Sequence, residues 1–76
     1  MKTLDRITID PEVMGGRPCI RGHRITVNIL VGLVAAKHSR EQILQWYPLL
    51  QDEDITQALQ YAAWRTNETE VPIHRA

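Results

Sequence analysis

Three arginines are interleaved with glycines and a proline in one short stretch of this sequence, residues 15–26. Arg17, Arg21 and Arg24 lie there together with three of the four glycines and one of the four prolines of the chain. A guanidinium group is always charged and forms paired hydrogen bonds with carboxylates and phosphates. We therefore predict that residues 15–26, called the platform from here on, bind an acidic partner protein or nucleic acid through these arginines.

The platform arginines also have a structural interpretation. Arginines next to tight turns brace them by donating hydrogen bonds to carbonyl groups or to nearby carboxylates, here those of Asp10 and Glu12. In that case, substitution of Arg17 and Arg21 would collapse the fold instead of weakening a contact with a partner. The sequence leaves both interpretations open.

Glycine and proline determine the backbone of the platform. Glycine takes positive φ without steric cost, and proline holds φ at about −65°. The spacing predicts two sharp turns with a short strand at residues 19–20 between them, beside another strand at residues 7–9. The predicted turn residues are Gly15, Gly16, Pro18 and Gly22.

No combination of residues predicts catalysis. Cys19 is the only cysteine, and we expect it to be a small buried residue and not a reactive thiol. The histidines at positions 23, 38 and 74 have no metal-binding spacing with one another or with Cys19. We therefore predict a non-enzymatic protein with no metal, no cofactor and no small-molecule substrate. A redox or metal-dependent enzyme built on Cys19 is our third hypothesis, after two kinds of binding protein.

Three helices are predicted after the platform. Thr26 is a suitable N-cap for the first, and Ser39 has the spacing of a capping box with Gln42 for the second, which Pro48 ends. The carboxylates at residues 52–54 suit the first turn of the third helix, where the helix dipole stabilises them, and the sequence assigns them no further role. The predicted helices span about residues 27–37, 40–47 and 52–66.

The first predicted helix is apolar on nearly every side. In so small a domain, such a helix is either the central core helix or an interface between two copies, and both can hold together. We predict a homodimer whose interface contains Leu30, Leu33 and Val34.

The length of the chain also favours a partner subunit. Its 76 residues form one domain that buries only about 60–65% of its unfolded surface, and small domains usually need a disulfide, a metal or oligomerisation. A single cysteine excludes an intramolecular disulfide and suggests a reducing compartment. We place the domain at residues 1–66, with its β element at residues 7–25, and expect residues 67–76 to be a flexible tail.

Neither a signal peptide nor a membrane span is visible. The longest apolar run, residues 29–36, is interrupted by Gly32 and is far shorter than the ~20 residues that a spanning helix needs. We expect a cytoplasmic protein that has no membrane partner.

Charge is divided unequally along the chain. The formal net charge is zero, but residues 1–40 carry seven Lys and Arg against three Asp and Glu, whereas residues 41–76 carry two against six. The two halves are therefore +4 and −4. Such a division is typical of a protein that meets an acidic partner with one end, although a solvated surface of mixed charge explains it equally well.

The last two helices are separated by a short link, which matches a helix-turn-helix arrangement. A helix that reads DNA carries Arg, Lys, Asn or Gln near its start, and carboxylates there repel phosphate. The third helix starts with Asp52, Glu53 and Asp54. We therefore expect any contact with DNA to come from the platform or from a dimer edge.

Several segments of the chain are similar to those of a known family. They are Gly15-Gly16-Arg17-Pro18-Cys19-Ile20-Arg21-Gly22, Arg24-Ile25, Tyr47-Pro48, Glu53-Asp54-Ile55 and Ala58-Leu59-Gln60-Tyr61-Ala62. Over residues 7 to about 63, the chain resembles family 433 of the domains of unknown function. It departs from the family pattern at His23, where Thr is commoner, and at Gln51, which replaces the usual Ser or Thr N-cap and weakens the start of the third helix.

The resemblance implies a mainly α fold, in which a short β element precedes a three-helix, homeodomain-like bundle, in a bacterial or archaeal protein. Members are often regarded as antitoxins of type II toxin-antitoxin pairs, with a PIN-like ribonuclease as toxin. Our first hypothesis is a homodimeric antitoxin that neutralises such a ribonuclease through Arg17, Arg21, Arg24 and, on the tail, Arg75. The alternative is a transcriptional autoregulator that binds operator DNA.

Overall fold

The structure, a computed structural model that describes residues 4–68, has a mainly α fold, as predicted. In chain order the elements are strand β1 (Ile7–Thr8), a 3-10 turn (Met14–Gly16), strand β2 (Cys19–Ile20) and helices α1 (Val27–Ala35), α2 (Arg40–Trp46) and α3 (Asp52–Glu68). Helix α3 thus continues two residues beyond its predicted end. The rest of the predicted tail, with Arg75, lies outside the described residues.

The two strands place the platform beside the start of the chain. β1 pairs antiparallel with β2, with Ile7 opposite Ile20, and Cys19 forms a further bridge with Thr26. Since Thr26 is also the N-cap of α1, the platform joins the sheet directly to the first helix. The predicted turn glycines have φ angles of 67° at Gly15, 85° at Gly16 and 76° at Gly22.

The second of the predicted turns closes the end of β2. The carbonyl oxygen of Ile20 accepts a hydrogen bond from the His23 amide at 2.8 Å. Both residues at the corner have positive φ, 46° at Arg21 and 76° at Gly22. Positive φ at both central residues is the pattern of a type I′ hairpin turn.

The predicted N-caps of the first two helices are present. Thr26 Oγ1 accepts from the Ile29 amide at 3.1 Å, and Ser39 Oγ accepts from the Gln42 amide at 3.1 Å. Each bond satisfies an amide that has no partner inside its own helix. Helix α2 ends one residue earlier than predicted, because Tyr47 precedes a proline and has non-helical angles.

Helix α1 ends at residue 35, two residues before its predicted end. Lys37 has a φ of 72°, in the left-handed region. Its amide donates to Val34 O at 2.9 Å, and the His38 amide donates to Leu33 O at 3.1 Å. These two bonds form a Schellman motif, which closes the helix before Lys37.

The core is assembled from the sheet and all three helices. Its buried residues are Ile20, Ile25, Val27, Leu30, Ile43, Leu50, Ile55 and Ala58. The assignment of Leu30 to a dimer interface was therefore wrong, because its side chain is fully buried inside the chain. Leu33 and Val34 are half-buried and pack against the same core, whereas Ile29 is 39% exposed.

Helix α1 is the apolar helix singled out by the sequence, and it is nine residues long. Throughout residues 4–68, no helix has both the length and the apolar composition that crossing a membrane requires.

Candidate functional site

Asp54, in the first turn of α3, is the centre of the ion pairs that hold the platform. Its side chain is fully buried. Arg21 donates from Nε to Oδ1 at 3.0 Å and from Nη2 to Oδ2 at 2.9 Å, and Arg6 donates from Nη1 to Oδ1 at 3.0 Å. The Gln51 amide donates to Oδ2 at 2.7 Å. We call these four residues the Asp54 network.

The charges of the Asp54 network favour the ionised carboxylate. Burial raises the pKa of Asp54, but hydrogen bonds from Arg21, from the Gln51 amide and from Arg6 outweigh burial, so the net pKa lies below its ordinary value. The hydrogen bond with Asp54 raises the pKa of Arg21. Asp54 is therefore charged at neutral pH, and the two arginines stabilise a charge whose burial would otherwise be unfavourable.

Arg21 has a backbone conformation that is unfavourable for a residue with a side chain, since its φ of 46° lies in the left-handed region. Several contacts hold it there besides the ion pair. Its amide donates to Arg6 O at 2.8 Å, and its Nη2 donates to Leu49 O at 2.6 Å. The turn of the platform is thus tied both to the residue before β1 and to the start of α3.

The position of Asp54 corrects one sequence-based expectation. The carboxylates at residues 52–54 were expected only to start the third helix, yet Asp54 also anchors Arg21 across 33 positions of sequence. Asp10 and Glu12 were the expected partners in the bracing interpretation. Asp10 instead accepts from the Glu12 amide at 2.9 Å. The bracing interpretation therefore fits Arg21, but with a different carboxylate.

A second group of polar contacts joins the residues before β1 to the middle of α3. The side chain of Gln57 is buried, and its Oε1 accepts from the Arg6 amide at 2.9 Å. Its Nε2 donates to Asp5 Oδ1 at 2.9 Å. Sequence reasoning missed Gln57, because a glutamine inside a helix is usually solvated and its partners lie about fifty positions away.

The other acids at the start of α3 lie at the surface. Asp52 is exposed, and its Oδ1 accepts from Arg40 Nε at 2.7 Å. That hydrogen bond lowers the pKa of Asp52. Arg40 also donates to the backbone oxygen of Asp52 and to Thr56 Oγ1. With Glu53 exposed as well, the first turn of α3 presents carboxylates to solvent, which disfavours contact with phosphate.

Arg17 and Arg24 differ from Arg21 in their surroundings. Both are exposed, and neither side chain forms a hydrogen bond or an ion pair with any residue from 4 to 68. The backbone of Arg17 is extended, with φ −72° and ψ 149°. Two of the three platform arginines are therefore available to an acidic partner.

A groove of about 720 Å³ runs between the platform, the first turns of α1 and the last turns of α3. Residues from all three segments line it, among them Arg17, Pro18, Val31, Ala62 and Arg65, and Ile9, just after β1, lines it as well. Sequence reasoning did not find this groove. No local pattern could show it, because its walls come from positions as far apart in the sequence as Ile9 and Thr66.

The described residues hold no group of three or more His, Cys, Asp or Glu side chains that could bind a metal ion. Cys19 is 1% exposed and belongs to β2, which is the small buried position expected from the sequence. Within residues 4–68, the features that could serve binding are therefore the Asp54 network, the exposed platform arginines and the groove.

Comparisons with known proteins agree on one family. Residues 7–62 match the model of a family described as Protein of unknown function (DUF433). The chain is 41% identical over 56 residues to the uncharacterized protein y4eO of Sinorhizobium fredii, a match that covers 74% of this chain and 25% of that protein. The chain therefore spans about a quarter of the length of this relative.

A solved structure supports the fold. The crystal structure of a DUF433 member protein from Anabaena variabilis is similar to this chain with a TM-score of 0.76 at 33% sequence identity. The similarity covers 83% of this chain and 62% of the other.

Proposed function

The chain belongs to the DUF433 family, and from that premise we propose that it is a cytoplasmic antitoxin that binds and inhibits a PIN-like ribonuclease and catalyses no reaction itself. The observation that carries the proposal is the exposure of Arg17 and Arg24 on a backbone held rigid by the Asp54 network. A surface fixed before binding loses less conformational entropy when the partner arrives.

The chemistry of the partner fits these arginines. PIN-type nucleases hold their metal in a cluster of carboxylates. A guanidinium group donates two parallel hydrogen bonds to a carboxylate and carries the charge that the metal would otherwise supply. Arg17 and Arg24 delivered to that cluster would displace the metal and block the substrate.

The first turn of α3 argues against the alternative of DNA recognition by this helix. Asp52 and Glu53 are exposed at the N-terminal end of α3, the end that a DNA-reading helix inserts into the major groove of DNA. A role as transcriptional autoregulator would have to use the platform, and the two roles differ in their response to salt. Binding to DNA falls steeply as salt rises because counterions are released from the phosphates.

We also propose that two copies associate through the exposed side of α1. Ile29 and Gly32 are exposed there, and a side-chain atom added at Gly32 would meet nothing within 4 Å. Ile29→Glu should yield a folded monomer in light scattering. Leu30→Glu should instead prevent folding, because it buries an unpaired charge. A folded dimer of Ile29→Glu would contradict the proposal.

The experiment for the function is inhibition of the ribonuclease encoded by the neighbouring open reading frame. Arg17→Ala and Arg24→Ala should each weaken inhibition about tenfold, because charge-assisted hydrogen bonds contribute roughly 1.5–3 kcal/mol. Lys37→Asn is the matched control. It removes an exposed positive charge just after α1, and asparagine tolerates the positive φ of this position.

Two results would contradict the function. One is unchanged inhibition by the variant lacking both arginines. The other is binding of operator DNA, with a steep dependence on salt, by a protein that leaves the nuclease active.

A further inference from the structure

We propose that the groove between the platform and α3 is the docking site for an acidic peptide segment of a partner protein. This inference shares one assumption with the proposed function, namely that the partner is a protein. It does not require that the partner be a ribonuclease. Apolar lining, positive charge and a backbone amide that is unpaired within residues 4–68 occur together in this groove.

Apolar side chains line much of the groove. Val27 and Val31 contribute from α1, Ala62 from α3, and Ile9 and Pro18 from the segments around the sheet. Ile9 is 61% exposed, although it directly follows a strand whose residues are half-buried. An apolar side chain placed beside Ile9 would remove surface of both groups from water, which favours binding.

The charge of the groove is positive. Arg17 and Arg65 line it, and none of the lining residues within positions 4–68 is acidic. The Arg17 side chain has no hydrogen-bond or ion-pair partner in that part of the chain, whereas the guanidinium of Arg65 lies 5.9 Å from the centre of the Trp64 ring. Carboxylates on a bound segment would therefore meet complementary charge and no repulsion from the groove itself.

The start of α1 adds hydrogen-bond donors to this charge. Its first turn contains no acidic residue. The Val27 amide donates to Pro18 O at 3.0 Å and the Ile29 amide donates to Thr26 Oγ1 at 3.1 Å, but the Asn28 amide has no acceptor among the described residues. A carboxylate between Asn28 and Arg17 would satisfy this amide, near the positive end of the helix dipole.

An acidic peptide fits these features better than a nucleic acid does. Proteins that bind nucleic acid strands track many phosphates with a row of cations, and single strands also need exposed aromatic platforms for stacking. Here two arginines accompany a largely apolar lining, and Tyr61 is the aromatic residue that lines the groove. A volume of about 720 Å³ suits one short segment, since ligand-binding clefts and cavities measure about 300–1,000 Å³.

The test is an NMR titration of the full-length, isotope-labelled protein with two synthetic peptides. One has the sequence Leu-Asp-Ile-Glu-Leu, and its control, Leu-Asn-Ile-Gln-Leu, has the same shape without charge. The acidic peptide should shift the amide signals of Asn28, Val31 and Ala62 and bind about fivefold or more tightly than the control. Arg17→Ala should remove that preference, and Lys37→Asn, outside the groove, should retain it.

Several outcomes would overturn the proposal. They are equal affinity for the two peptides, shifts confined to other surfaces, and an unchanged preference in Arg17→Ala. Displacement of the acidic peptide by oligo-dT at about 150 mM salt would assign the groove to nucleic acid instead.

The nuclease assay separates this inference from the proposed function. A wild-type protein that inhibits the nuclease without responding to the acidic peptide contradicts the groove proposal alone. A protein that binds the acidic peptide in the groove without inhibiting the nuclease supports the groove proposal and contradicts the proposed function.

Discussion

The Asp54 network and the exposed part of the platform use the same residue type in opposite ways. Arg21 is held at the corner of a turn, with its guanidinium on a fully buried carboxylate. Arg17 and Arg24, four and three positions away, are exposed, and their side chains form no hydrogen bond or ion pair within residues 4–68. The comparison shows that the place of an arginine relative to the turn decides whether it holds the fold or remains available to a partner.

The two regions also differ in energetic consequence. Loss of an arginine leaves the buried carboxylate less well compensated, and loss of the carboxylate leaves two partly exposed arginines and the Gln51 amide without their acceptor. An exposed arginine without a partner contributes little to folding, because water solvates it equally well before and after folding. Substitutions in the two regions should therefore separate stability from binding.

Among substitutions in these two regions, Asp54→Asn should have the largest effect on the fold. It weakens the acceptor shared by Arg21, Arg6 and the Gln51 amide. Each charge-assisted hydrogen bond lost costs roughly 1.5–3 kcal/mol, and their sum is a large fraction of the stability of a small domain. Urea denaturation followed by circular dichroism measures the loss. Asp52→Asn is the matched control in the same helical turn, and its midpoint should stay close to wild type because Asp52 is exposed. Equal midpoints for the two variants would refute the buried role of Asp54.

Gly22→Val should have the next largest effect. Gly22 has a φ of 76°, and nothing lies within 4 Å of an added Cβ, so the expected cost comes from a backbone conformation that a β-branched residue disfavours. Strain of this kind amounts to about 1–3 kcal/mol. Gly22→Asn should be milder because asparagine tolerates positive φ. If both variants melted at the same temperature, the left-handed geometry would not be the cause.

Acid should weaken the Asp54 network reversibly. Because the native pKa of Asp54 is lowered, its contribution to stability is fully present above the unfolded value of about 3.9 and is lost as pH falls through the native pKa. Below about pH 4, the free energy of unfolding should therefore fall less steeply in Asp54→Asn than in wild type. If that variant does not fold, Arg21→Lys can be compared with wild type in its place, because lysine cannot form the paired hydrogen bonds that Arg21 donates to Asp54. Parallel slopes in wild type and variant would contradict the prediction.

The smallest effect on stability is expected for Arg17→Ala and Arg24→Ala. Both side chains are exposed and lack partners in residues 4–68, and such surface substitutions usually change stability by no more than about 0.5 kcal/mol. Calorimetry of the double variant should give nearly the wild-type melting temperature. A large drop would mean that these arginines brace the fold as Arg21 does, and would weaken both proposals.

Local features of the fold could be predicted because their causes lie within a few residues. The N-caps at Thr26 and Ser39 each bond an amide three positions ahead. The turn glycines have the positive φ that their type allows. Helix ends were less accurate. The left-handed conformation of Lys37 shortens α1, and lysine, unlike glycine, gives no sign of such a conformation in a sequence.

The candidate site was predicted only in part. The segment that carries Arg17, Arg21 and Arg24 was identified from its composition, but the division of these arginines between fold and surface was not. The groove was missed, as was the role of Asp54, because a carboxylate in the first turn of a helix has the same local pattern whether it is solvated or buried.

The sequence by itself determined the family, the order of strands and helices and the sharp turns of the platform, because caps, glycines and apolar spacing act over one or two turns of chain. Only the tertiary structure decided that Arg21 would reach Asp54 and that Leu30, not Ile29, would enter the core. A helix that is apolar all round can bury either side, and an arginine can pair with any carboxylate in reach. Which choice is made depends on the packing of α1 and α3 against the platform, since that packing removes one carboxylate from water and leaves its neighbours exposed.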